Sequence, residues 1–430
     1  MKYTSILDKT YNLFTYLALP GIMGHLLIKS IKNSEYHKRY PERFGHVSFG
    51  PLSDSIWIHG VSVGEVQSAH PLAKKILEQN ICRDMVVTST TPTGSEQVQN
   101  TFPKSIYHSY LPYDLPFFVN RFFPSVNPKL VMFMETEIWP NIFKYCHNSS
   151  IPLVIANARI SPDSFKRYQK IKFFISPVLN YCQKILAQSE KDAERFLSLG
   201  VSPRKIITTG NIKFDIELSE NKIEKGRKLR EKFAPKGPIW VAASTHNGEE
   251  EQLLDVHAKL LEKEPEALLI IVPRHPERFE TVADLCSKKG YQFQRHSKRK
   301  GVDPDIKVYL GDTMGDLPTY YAASDIAFVG GSLAEIGGHN MLEPSALGLP
   351  VFTGPHLFNF QEIANMLQEN QALSIVNSSE ELFQNLYSLL QHPANIKTIS
   401  EKAKQVVHDN KGAVEKTLKQ ITELLPQGTD

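Results

Sequence analysis

Polar residues in this chain recur directly after short apolar runs. Glu65 follows Ile56, Trp57 and Ile58; Glu135 and Glu137 follow "LVMFM"; Asn157 and Arg159 follow "PLVIA"; Lys213 follows "TTGNI". Further along, Ser244, Thr245 and His246 follow "IWVAA", and Arg274 and His275 follow "LLIIVP". Asp312, Thr313 and Met314 follow "VYLG", and "GGSLAEIGGHNMLEP" follows "IAFV". Carboxylates and cations in such places suit proton abstraction and neutralisation of developing charge. Each also has a plainer reading. Glu65 is a favourable first-turn acid, or half of a capping arrangement with Ser62. Glu135 would cap the "IWPNIF" helix, and Lys213 would pair with Asp215. A row of polar residues at successive strand ends argues for a site, because open α/β sheets bind ligands outside the carboxyl ends of their strands.

The elements that must carry these residues alternate. Fourteen apolar strand candidates, from "SIWIH" to "ALSIVNS", are separated by helical stretches. Near-continuous apolar strands of this kind predict parallel sheets covered on both faces. At 430 residues, with 41% hydrophobic and 22% charged residues, the chain is too long for one ordinary core and suits two domains. The alternation pauses at 216–238, charged and ending in Pro and Gly, which reads as a linker. The expected plan is a membrane-associating segment (1–45), a Rossmann-like domain (46–215), that linker, and a second Rossmann-like domain (239–410). A C-terminal helix (411–430) follows, for which a return to the first domain is one option. Two such domains imply a cleft between them.

The N-terminus departs from a soluble pattern. Tyr11–Ile31 is almost uncharged until Lys29 and is interrupted by Pro20-Gly21; a basic run of Lys29, Lys32, His37, Lys38, Arg39 and Arg43 follows. Two short helices in or on one leaflet, with the cations on anionic lipid, fit this better than one straight span. "RFF" at 121–123 is a candidate apolar lip. The net charge of +3 is too small to imply nucleic acid. Cys82, Cys146, Cys182 and Cys286 lie far apart without a CxxC, which disfavours a disulfide framework and points to a reducing compartment.

The glycine-rich stretch Val329–Pro355 offers N–H donors and close backbone approach, and "HNMLEPSALG" opens a helix suited to phosphate. Glu343 there has the chemistry to hold a ribose. No dinucleotide GxGxxG, P-loop, GxSxG or HExxH occurs. His246, His275 and His339 lack zinc-ligand spacing.

Together "WIHGVSVGEV", "METEIWPN", "NARIS", "TTGNIKFD", "STHNGEEE", "VPRHPERF", "GDTMGDLP" and "GGSLAEIGGHNMLEP" resemble the motif set of 3-deoxy-D-manno-octulosonic acid (Kdo) transferases, two-domain glycosyltransferases of GT-B architecture. The resemblance runs from the apolar N-terminus to about Pro355 and beyond. Val61 stands where a small residue is commoner. The resemblance implies two Rossmann-like domains facing a cleft, and inverting transfer of Kdo from CMP-Kdo to a lipid A precursor (lipid IVA) at the cytoplasmic face of the bacterial inner membrane. It implies that Glu65 is the general base and that Glu135 and Lys213 stabilise the transition state. CMP would be held by Pro273, Arg274, Met314, Gly315, Asp316, Asn340, Met341, Leu342 and Glu343, with Ser244 and Ser332 as weaker phosphate contacts. No cofactor or metal is expected, and no nucleic-acid partner. The alternatives are another GT-B nucleotide-sugar enzyme, and a non-catalytic membrane-associated scaffold of the same fold.

Overall fold

The computed structural model describes residues 2–32, 36, 38–233, 236–298, 301, 303 and 305–425. The chain forms two units, residues 1–215 with 411–430, and residues 216–410. Each is built on one parallel sheet of seven strands, so all fourteen expected strands form.

In the first unit β1 (Ser55–His59), β2 (Met85–Ser89), β3 (Tyr107–Tyr110), β4 (Pro128–Met134), β5 (Leu153–Ala158), β6 (Lys184–Ala187) and β7 (Ile206–Thr208) lie in the order β3-β2-β1-β4-β5-β6-β7. Alternate side chains of a strand take opposite faces. Trp57 and Phe133 therefore meet Phe122, Phe123 and Phe143 on one face, while Ile56, Ile58 and Met132 meet Leu72 and Ile76 on the other. That second face is closed by Val414, Leu418 and Ile421 of the helix Ala413–Thr422. Asp215 accepts the Gly412 and Val414 N–H groups at the start of that helix, at 2.5 Å each.

In the second unit β8 (Ile239–Thr245), β9 (Leu268–Pro273), β10 (Phe293–Arg295), β11 (Val308–Leu310), β12 (Ile326–Val329), β13 (Val351–Thr353) and β14 (Leu373–Ile375) take the order β10-β11-β9-β8-β12-β13-β14. In both sheets the order reverses beside the first strand, between β1 and β4 and between β8 and β12. Crevices at such reversals are where doubly wound sheets bind ligands.

Four expectations need correction. The segment 216–238 is not a loose connection: Glu220–Phe233 is a helix whose Leu229 and Phe233 are buried in the core of the second unit (residues 234–235 fall outside the described ones). Pro20-Gly21 does not break the N-terminal helix, which runs from Lys2 to Lys32. It rests on the first unit along one stripe. Asp8 pairs with Lys144 at 2.5 Å. The Tyr11 hydroxyl donates to Asp114 at 2.9 Å, and its ring meets Phe174 at 5.6 Å. Thr15, Leu19 and Ile22 are half-buried, and Leu26 and Ser30 are buried. This spacing of three and four residues is one helix face, and packing along it offsets the proline's lost hydrogen bond. Leu13, Phe14, Leu17, Ile28 and Ile31 are exposed.

The third correction concerns the basic run. Arg39 bonds Glu42 at 2.7 Å and the His108 carbonyl at 2.6 Å. Arg43 is buried over the Tyr110 ring, 4.1 Å from its centroid. Buried Glu42 and an aromatic face hold these two cations inward; His37 lies outside the described residues. Lastly, Phe122 and Phe123 are core residues against Trp57 rather than a lip. Phe117, one helical turn and more before them, is the exposed aromatic.

Candidate active site

The first sheet's reversal brings the expected carboxylates together. Glu65 is the third residue of the helix Val63–Glu78, which starts directly after β1. The plain capping reading is correct as far as it goes: Ser62 Oγ accepts the Glu65 N–H at 3.3 Å, and Glu65 accepts from the Ser62 hydroxyl at 3.1 Å and from the Val61 N–H at 2.6 Å. Burial, the nearby Glu135 and, more weakly, Glu137 push the Glu65 carboxyl up from 4.5 to about 7, against the two stabilising hydrogen bonds. A carboxyl poised there suits a general base near neutral pH.

Glu135 follows β4 with φ 58, a left-handed conformation that non-glycine residues seldom adopt. Its N–H bonds the Ala156 carbonyl at 2.9 Å, extending the β4–β5 ladder and turning the side chain out at the strand end. It does not cap the following helix, whose Asn141 and Ile142 N–H groups bond the Asp114 carboxylate at 2.9 Å. Lys213 Nζ lies 3.7 Å from Glu135. Because Asp215 is committed to the helix Ala413–Thr422, the pairing of Lys213 with Glu135 prevails.

Asn157 explains how Lys213 is aimed. This fully buried residue, with φ 53, accepts the Ile212 N–H at 3.0 Å and gives its carbonyl to Gln188 at 2.9 Å. It thus holds the 3-10 turn Ile212–Phe214 against the end of β5. A cavity of about 190 Å³ opens here, lined by Glu65, Glu135, Glu137, Arg159, Ser161 and Tyr168 among others. Asn157 and Arg159 belong to the row of strand-end polar residues and to "NARIS"; the fold adds that Asn157 holds the Ile212–Phe214 turn and that Arg159 and Tyr168 line this cavity.

In the second unit Arg274 follows β9, its N–H bonded to the Thr245 carbonyl at 3.0 Å. Pro273 ends the strand. Ser244, near the end of β8, has φ 55. Met314 is exposed, Gly315 has φ 82, and Asp316 accepts from Thr313 at 2.8 Å at the head of a short helix. Asn340 bonds Glu343 at 3.1 Å and accepts the Leu342 N–H at 3.0 Å. Burial raises the Glu343 carboxyl above its ordinary value, against the Asn340 bond and Lys222. Lys222 also bonds the Gly315 carbonyl. It therefore holds the 314–316 turn and lends Glu343 a nearby positive charge, from a segment that reads as a linker in the sequence.

Three members of the expected set are limited by their surroundings. Met341 and Leu342 are fully buried, backbone included, and the Leu342 N–H is already bonded to Asn340, so neither offers a ligand an exposed surface here. Ser332 is also fully buried, its hydroxyl donating to Val329 at 2.7 Å and accepting from Gly354 at 2.8 Å. Nor are the N–H groups of its loop free. Those of His246, Gly331, Ser332, Leu333 and Ala334 all bond the buried Glu249 carboxylate, at 2.8–3.3 Å. Among the described residues no three His, Cys, Asp or Glu side chains form a metal-ligand group.

Residues 227–406 match the group 1 glycosyl transferases. In overall fold the chain is similar to a glycosyltransferase from Rickettsia africae (17% identity, 87% of this chain and 100% of that one, TM-score 0.54). It is similar too to the UDP-GlcNAc 2-epimerase from Neisseria meningitidis (16%, 86% and 99%, TM-score 0.55). With its two parallel α/β sheets, the chain is a glycosyltransferase of the GT-B class. Residues 38–216 match the family described as 3-deoxy-D-manno-octulosonic-acid transferase. The 3-deoxy-D-manno-octulosonic acid transferase of Haemophilus influenzae is 42% identical over 411 residues, 95% of this chain and 96% of that one. This chain belongs to the Kdo transferase family.

Proposed function

We propose that the chain transfers Kdo from CMP-Kdo to a hydroxyl of a lipid A precursor in lipopolysaccharide synthesis, with inversion and without a metal. The observation that carries the reading is Glu65, a carboxyl raised to about 7 in a cavity it shares with Glu135. Glu65 takes the acceptor hydroxyl proton as that oxygen bonds the anomeric carbon. The bond from that carbon to the phosphate oxygen breaks, and its electron pair leaves with CMP. One base and no covalent intermediate suffice for inversion. Glu135 offsets the positive charge that develops on the sugar, while Lys213 serves the donor's carboxylate. Arg274 neutralises the phosphate and Glu343 accepts from the ribose hydroxyls.

The acceptor's lipid nature gives the N-terminal helix a role. By length and composition it is able to cross a membrane. It is nevertheless fastened to its own unit from Asp8 to Ser30, and its opposite face is apolar and bare. We infer that it lies in the plane of the cytoplasmic leaflet, with Leu13, Phe14 and Leu17 among the acyl chains.

The test is the product mass after incubation with CMP-Kdo and a tetra-acylated lipid A precursor in excess EDTA. A mass increase of one or more Kdo units supports the reading. No transfer with EDTA and recovery with magnesium overturns metal independence; no transfer under either condition overturns the substrate assignment.

A further inference from the structure

The segment 216–238 reads as a linker, yet its helix Glu220–Phe233 packs against the candidate donor-binding turn. Lys222, Gly226, Leu229, Arg230 and Phe233 recur at three- and four-residue spacing and share one helix face. Leu229 and Phe233 enter the core that holds Tyr309, Tyr320 and Tyr321, with Phe233 meeting the Tyr309 ring at 5.0 Å. Arg230 donates to the Ala323 carbonyl at 3.0 Å and pairs with Asp325 at 2.9 Å. At Gly226 the helix closely approaches the short helix Leu317–Ala322. An added Cβ there would lie 2.4 Å from the Thr319 carbonyl oxygen and 2.6 Å from the Ala322 Cβ. That short helix follows directly from the turn Met314–Asp316.

Lys222 stands at the start of this face. A lysine in a charged stretch is ordinarily a solvated surface group, as Arg227 and Lys228 are: both are exposed and pair with Glu224 at 3.9 and 3.4 Å. Lys222 is instead half-buried, and its ammonium donates to the carbonyl of Gly315, whose φ is 82. It also lies near enough to Glu343 to favour the charge of that carboxylate. Glu343 sits deep beside the fully buried Tyr321, and the other group that favours its charge is the Asn340 amide at 3.1 Å. A buried carboxylate is costly without partners. An ammonium is a compact charge with three rotatable donors, so one lysine can serve the turn and the carboxylate together.

We propose that Lys222 is a positioning residue for the nucleoside half of the donor: anchored on the Gly315 carbonyl, its ammonium presents the Glu343 carboxylate to the ribose hydroxyls and joins that contact to the 314–316 turn. The inference rests on the donor reading above. Without the cation, Glu343 either takes a proton and loses acceptor capacity, or turns away from the ribose. In both cases the hydroxyls lose their acceptor, while the phosphate contact at Arg274 is left alone.

Calorimetric titration of the full chain tests this with two probes. One is CMP; the other is 2′,3′-dideoxycytidine 5′-monophosphate, which keeps base and phosphate but lacks the ribose hydroxyls. The native protein should prefer CMP by about tenfold or more. Lys222→Met should weaken CMP by about tenfold yet change the dideoxy nucleotide by less than about threefold, so that the preference collapses. Lys222→Arg keeps the charge and should restore most of the preference. Lys228→Met, on the exposed side of the same helix, should leave both dissociation constants unchanged. Thermal melts confirm folded protein; should Lys222→Met not fold, Lys222→Gln decides by the same criterion. A preference that survives in the folded variant would overturn the proposal, whether affinity stays native or falls equally for both nucleotides. An equal fall is what a merely structural role produces. A native protein that binds the two nucleotides equally would also overturn it, and leave CMP binding intact. Failure of the native protein to bind CMP would instead overturn the donor reading, and this inference with it.

Discussion

The sharpest prediction concerns how Glu65 titrates and which neighbours set it. Its folded value of about 7 stands well above the ordinary 4.5, so the base is protonated and inactive at low pH. Transfer should rise with pH through about 7 with the slope of one ionisation, then level. Burial is the first cause and Glu135 the second. A bare unit charge at ~4 Å and an effective dielectric of about 20 contributes about 4 kcal/mol, or roughly three pH units, as an upper bound. Lys213, 3.7 Å from Glu135, cancels much of this, which leaves about one unit. Glu135→Gln should therefore lower the Glu65 value by about one pH unit, since the like charge goes and Lys213 is released. Lys213→Met should raise it, because Glu135 is then unopposed. Both substitutions also slow transfer, so the direct readout is carbon-13 carboxyl NMR, with Glu65→Gln assigning the signal. The native value then also comes from the pH dependence of kcat/KM. A native Glu65 titrating near 4.5, or one unmoved by both substitutions, would refute the electrostatic reasoning.

Further expectations follow from the same contacts. Glu343→Ala strips charge-assisted bonds from the ribose and should weaken CMP binding by roughly 1–3 kcal/mol; an unchanged dissociation constant by calorimetry counts against it. Glu249→Ala orphans five N–H groups, two of them on buried residues and three on half-buried ones, and should destabilise the protein by about 3–5 kcal/mol, visible as a large fall in Tm; a shift of a degree or two would contradict the capping role. For the membrane, in-plane attachment predicts release from anionic vesicles by high salt or alkaline carbonate, followed by sedimentation; extraction by detergent alone would establish a span.

The fold was legible because its signal is local. Each strand is a short apolar run ending in a polar turn, and parallel strands buried on both faces leave little else to read. Glu65, Glu135 and Lys213 were legible for the same reason, each lying within a few residues of a strand end. What was not legible depends on partners remote in sequence. Nothing near Ser332 announces that its loop's N–H groups belong to Glu249, more than eighty residues earlier. Nothing near Arg43 announces the Tyr110 ring. Pro20 signals a break by local rules, yet one continuous face of that helix packs on its unit and overrides the rule. In "RFF" the aromatics point to Trp57 because helical period, not apolar content, decides which side faces the core. Lys222 hid in a charged stretch whose buried face is only Leu229, Phe233 and the close-packed Gly226.

The central claim is that Glu65 performs proton abstraction rather than only capping a helix. It is tested most directly by Glu65→Gln in the full chain, measuring CMP binding by calorimetry and Kdo transfer to the lipid acceptor by product mass on one preparation. The amide keeps the size of the side chain and its acceptor oxygen for the Val61 N–H, but it cannot take the acceptor's proton. The account predicts a nearly unchanged CMP dissociation constant with transfer reduced on the order of a hundredfold or more. Near-native transfer by folded Glu65→Gln protein would contradict it.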